Sequence, residues 1–81
     1  MNQAEVIAKL QGIFDDIFVE PVKVTPELTA GDVEEWTSLV HISVLLAVEK
    51  AFAIRFRVGE VEKARNVGEF ANLILQRLKE P

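Results

Sequence analysis

Thr37 and Ser38 stand side by side in the stretch E-W-T-S-L-V-H-I, Glu35 to Ile42, where an acidic, irregular segment gives way to a long apolar run. One hydroxyl is enough to cap a helix. With Thr37 as N-cap, its oxygen accepts a backbone N–H of the first turn, an interaction worth about 0.5–2 kcal/mol relative to Ala. Ser38 then takes the first helical position, its hydroxyl facing outward beside unpaired backbone N–H groups. Such a helix start favours an anion by charge and by hydrogen bonding, and a phosphate ester on Ser38 fits it. A plain polar residue fits it too, because serine is common near helix starts.

His41, the single histidine, lies three residues after Ser38, so the two can share a helix face. A Ser–His hydrolase would need that contact plus an orienting acid and an oxyanion site. A small bundle offers little pocket for these, so no catalytic residue is assigned, and His41 is read as partly buried or as lining a channel beside a group carried on Ser38. Metal binding is also disfavoured: with one His and no Cys only carboxylates remain. Asp32, Glu34 and Glu35 lack calcium-loop spacing. These acids read as a solvated face or as a partner-recognition patch.

The chain has 81 residues, 49% of them hydrophobic and 27% charged, enough apolar material for one core and too much for a disordered state. One domain, residues 1–81, is expected. Absent cysteines exclude disulfides and thiol chemistry, and are compatible with a reducing cytosol. No apolar run is long enough to span a bilayer, so no membrane insertion is expected. The N-terminal MNQAEVIAKL has no basic segment ahead of an apolar one, so no signal peptide is read. The net charge of −4 is uneven: residues 1–36 hold eight acids and two bases, the remainder five acids and seven bases. Without a basic stripe, nucleic acid is a poor partner; a protein with a basic patch is a better one.

These side chains are positioned by helices. Asn2 and Glu5 form a cap signature, after which Val6, Leu10, Ile13 and Ile17 recur at helical spacing, widened by Ile7 and Phe14, to an end near Phe18. Pro21 and Pro26 forbid continuation. From Val19 to Trp36 no period holds, but scattered Val22, Val24, Leu28 and Val33 predict a loop pinned onto the core. Trp36 is either a core plug closing that loop or an exposed anchor for a partner. The run SLVHISVLLAVEKAF is too long for a strand and apolar nearly all round, predicting a central helix with several neighbours. Val40 and Leu46 are either core residues or an apolar docking strip on it. Ile54, Phe56 and Val58 alternate with Arg55 and Arg57, hinting at a short extended piece, and Gly59 to Ala64 could turn helically. Asn66 to Glu69 repeats the cap signature, and Val67, Phe70, Ile74 and Leu78 predict a last helix, with Arg77 and Lys79 at its negative end. The sum is an all-α fold, a small four-helix bundle of three main helices and one short one with a long first loop.

The ordered pattern resembles the acyl carrier protein family, whose D-S-L motif opens the second helix of such a bundle. Here the matching tripeptide is Thr37-Ser38-Leu39. The likeness extends over most of the chain, through TPELTAGDVEEW, Leu39 to Phe52, IRF and VGEFANLI. The resemblance implies a carrier that is not an enzyme. Phosphopantetheine on Ser38 would hold acyl groups as thioesters for fatty-acid, lipid or polyketide-type biosynthesis. It implies a phosphopantetheinyl transferase and acyl-activating, acyltransferase or synthase enzymes as partners of a cytoplasmic monomer. It also favours the docking reading of Val40 and Leu46, with Asp32, Glu34 and Glu35 supplying charge. Two departures stand out. Thr37 replaces the family's Asp, part of what the transferase recognises, and the second helix carries only Glu49 where the family exposes several acids. A carrier fold that has lost its prosthetic group and serves as an interaction module is the competing reading.

Overall fold

The computed structural model describes residues 1–57 and 59–79. It is all-α: helices α1 (Gln3–Ile17), α2 (Ser38–Phe52) and α3 (Val67–Lys79), with 3₁₀ turns at Ala30–Asp32 and Val61–Lys63. The expected short helix is the second of these turns, within the predicted Gly59–Ala64 span. Among the described residues, 54–57 adopt no regular structure; Ile54 is buried, Phe56 half-buried, and Arg55 and Arg57 exposed. Val58 lies outside the described residues.

α1 starts as its cap signature predicts. The Asn2 side chain accepts from the Glu5 N–H at 2.9 Å, and the Glu5 carboxylate accepts from the Asn2 N–H at 3.0 Å. Its apolar stripe buries Val6, Leu10 and Phe14 completely, and α1 packs against both α2 and α3. α2 contributes Val44, Val48 and Phe52 to the same core, and α3 contributes Val67, Phe70, Ala71 and Ile74. Each Val, Leu, Ile or Phe side chain among them removed from water contributes about 1.5–3 kcal/mol against the entropy of ordering the chain.

The α3 stripe departs from expectation at its end. Leu78 is 38% exposed, and Arg77 takes the inward position instead, 9% exposed, its Nε 3.5 Å from a Glu60 carboxylate oxygen. A helical stripe drifts around the axis, and here the drift brings a cation inward where the connector supplies an acid. Arg77 therefore ties the connector to α3 rather than merely facing the helix dipole.

The long loop is pinned, as its scattered apolar residues predict. Val24 is buried, and Val22, Leu28, Val33 and Trp36 pack against the core. Polar contacts add to this. The Gln11 amide donates to the Val22 carbonyl at 2.7 Å, while its oxygen accepts the Val24 N–H at 2.9 Å, so one α1 side chain serves the loop as a neighbouring strand would. Farther on, Pro26 and Leu28 offer their carbonyls to the N–H groups of Gly68 and Val67, both at 2.8 Å, satisfying donors that a helix start leaves without internal partners. Gly68 suits this close approach: a Cβ there would lie 3.1 Å from the Pro26 oxygen, tighter than an ordinary contact.

Candidate functional site

The loop delivers the chain to α2 through Trp36. Its indole is half-buried, edge-on to Phe14 at 5.1 Å and to Phe18 at 5.9 Å between centroids, so it plugs the loop onto the core. Thr37 is extended, and its Oγ1 accepts the Val40 N–H at 3.3 Å, making it the N-cap. Ser38 is the first residue of α2, with its side chain exposed. Among the described residues, the N–H groups of Ser38 and Leu39 have no protein acceptor, and no acid stands in the first turn. The hydroxyl thus sits at the positive end of a helix of 15 residues, with backbone donors beside it and no nearby carboxylate on the helix to oppose an anion.

His41 shares this turn without bonding to Ser38. Its Nδ1 accepts the Trp36 indole N–H at 3.1 Å, with the two rings 6.0 Å apart. The neutral imidazole therefore carries its proton on Nε2. Trp36 and His41 line a cavity of about 60 Å³ with Leu28, Val61, Val67 and Phe70. That is well below the roughly 300–1,000 Å³ of a preformed ligand pocket. Among the described residues no group of His, Asp and Glu could hold a metal ion, and no helix is long and apolar enough to cross a membrane.

The loop acids divide by role. The Asp32 carboxylate accepts the Thr29 N–H at 3.1 Å and caps the 3₁₀ turn. That of Glu35 accepts the N–H groups of Val19 and Glu20 at 2.8 and 3.2 Å, folding the loop back on the end of α1. Glu34 is exposed and makes no such bond. On α2, Leu46 is 62% exposed, whereas Val40 is half-buried against the core. Leu39 and Ile42, 76% and 54% exposed, extend the Leu46 face at helical spacing. The sequence does not mark Ile42, because in a helix apolar nearly all round nothing local tells the solvent side from the core side. Glu49, the one acid on α2, turns to the connector and accepts the Phe56 N–H at 2.9 Å.

No family model matches the chain. It is 31% identical over 75 residues to the acyl carrier protein of Thermosynechococcus vestitus, covering 91% of this chain and 93% of that protein. The solution structure of the holo acyl carrier protein from Geobacter metallireducens superposes with a TM-score of 0.75 at 30% identity, over 95% of this chain and 85% of that one.

Proposed function

The chain belongs to the acyl carrier protein family, and on that premise we propose that it is a carrier without catalysis of its own, loaded with phosphopantetheine at Ser38. The observation that carries this reading is the exposed Ser38 hydroxyl at the first position of α2, beside the unpaired N–H groups of Ser38 and Leu39. Thr37 holds the turn in place, and the helix start stabilises the phosphodiester. When bound, the group supplies a terminal thiol that holds acyl chains as thioesters. The cavity beside Trp36 and His41 measures about 60 Å³, so an acyl chain sheltered there must displace side chains to enter.

A phosphopantetheinyl transferase would load Ser38, and acyl-activating, acyltransferase or synthase enzymes would exchange the cargo in the cytoplasm. These partners would meet the Leu39, Ile42 and Leu46 face, with Val40 at its edge and Asp32, Glu34 and Glu35 beyond the attachment turn. Glu34 is the acid best placed to contribute charge, because the other two carboxylates hold backbone N–H groups.

Intact-mass analysis after incubation with coenzyme A and a broad-specificity transferase tests the reading. One phosphopantetheine should add to the wild type and none to Ser38→Ala; an unmodified wild type, or an adduct on the variant, overturns it. Thr37 in place of Asp favours a second reading, an interaction module that has lost the group. Thr37→Asp separates the two. In a carrier it should speed loading by a transferase that prefers the aspartate form, with thermal stability nearly unchanged because both residues cap well.

A further inference from the structure

Trp36 and His41 are the single tryptophan and single histidine of the chain, and they bond to each other across the attachment turn. The bond joins the last loop residue to the first turn of α2 and encloses Thr37 to Val40. Inside that ring lie the Thr37 cap on the Val40 N–H and the bond from the His41 N–H to the Thr37 carbonyl at 2.8 Å. The Trp36 end packs edge-on against Phe14 and Phe18, both buried. The attachment turn is therefore tied to the core by the packing of Val40 and by one side-chain hydrogen bond whose acceptor is an imidazole nitrogen.

We propose that the Trp36–His41 pair is a positioning element for the Ser38 hydroxyl, a latch over the attachment turn that opens when His41 takes up a proton. This rests on the reading of Ser38 as the attachment point. The chemistry is a change of sign at one atom. Neutral Nδ1 accepts the indole N–H; in the imidazolium both ring nitrogens are donors, so Nδ1 and the indole present hydrogens to each other and the bond is lost. The latch is thus closed at higher pH and open at lower pH.

Besides His41, Arg65, from the segment before α3, is the ionisable side chain that lines the shared cavity among the described residues. α1 reaches the pair through Phe14 and Phe18. The neighbouring Glu35 is engaged with the Val19 and Glu20 amides, and the first turn of α2 holds no acid.

Two-dimensional ¹H–¹⁵N NMR of the unmodified protein, from about pH 8 to about pH 5, reads the latch directly. The imidazole should be the Nε2–H tautomer at high pH. The Trp36 indole N–H and the amides of Thr37 to Val40 should then shift with the same midpoint as His41. His41→Asn supplies an oxygen acceptor near the Nδ1 position but does not titrate, so its turn should stay fixed over this range. Trp36→Phe keeps the aromatic packing and removes the donor, so its turn should resemble the open state at every pH. An Nδ1–H tautomer, or turn amides that ignore the His41 midpoint, overturns the proposal.

The loading rate at Ser38 completes the test, taken as wild type relative to His41→Asn so that the transferase's own pH dependence cancels. The ratio should fall about fivefold from high to low pH, the equilibrium worth of one hydrogen bond. A flat ratio overturns the positioning role alone. Absence of an adduct in both proteins at every pH overturns the carrier reading and the positioning role with it.

Discussion

α1 and the loop that follows it are held by different forces, although they lie against the same core. α1 is fixed by a repeating apolar stripe whose side chains vanish into the interior: Val6, Leu10 and Phe14 are 0% exposed. The loop buries only Val24 completely enough to count as core, and is otherwise fixed by side chains that bond to its backbone: Gln11, Asp32 and Glu35. The contrast shows how a chain of this size can keep a long segment ordered without a helix. Where apolar material is scarce, polar groups aimed at specific N–H and C=O groups define the path. Burial is tolerant of exchange between similar residues, whereas such bonds depend on one atom at one place.

Phe14→Ala should have the largest effect. The ring is fully buried, stacked on Phe18 at 5.0 Å and edge-on to Trp36, so its loss empties the junction of α1, loop and attachment turn. A loss of about 3–5 kcal/mol is expected. Urea unfolding checks it, and a loss below about 1 kcal/mol would show that the junction repacks freely and that core and loop are less distinct than described.

Gln11→Ala comes next. It leaves the Val22 carbonyl and the Val24 N–H without their partner, at a cost of about 1–3 kcal/mol. The sharper readout is hydrogen exchange. The Val24 amide should lose protection while the α1 interior keeps it, and equal loss in both would mean that loop and helix unfold as one unit.

Gly68→Ala should be the smallest. Alanine favours a helix by about 1 kcal/mol over glycine, but the new Cβ meets the Pro26 oxygen at 3.1 Å and its Cβ at 3.2 Å. The Pro26 carbonyl is itself held by the Gly68 N–H, so it has little room to retreat, and a net destabilisation of about 1 kcal/mol is expected from overpacking. A rise in thermal midpoint would show that the loop yields at this point.

The same contrast decides what the sequence discloses. The caps at Asn2 and Thr37, the apolar stripe of α1 and the helical register of α3 are local patterns, and they appear where spacing predicts. Ser38 at the first position of α2 follows from the Thr37 cap alone. Gln11 carries no comparable sign, because a polar residue on the exposed flank of a helix is unremarkable until the loop path brings Val22 and Val24 to it. Trp36 and His41 stand out in the sequence, but their bond depends on the rotamers of two rings. Arg77 reads as a surface cation because its acid, Glu60, is distant in sequence.

The inward turn of Glu49 bears on how this molecule would respond to ionic strength. The ridge of Leu39, Ile42 and Leu46 has Glu49 as its one helix acid, tied to the connector by the Phe56 N–H, and the exposed charge nearest Leu46 at helical spacing is Lys50. Added salt screens attraction between exposed charges but leaves apolar contact intact, and sulfate strengthens it. A partner gripping the ridge would therefore hold on in concentrated salt, one steered by Glu34 would let go, and the salt response alone would tell which surface had been used.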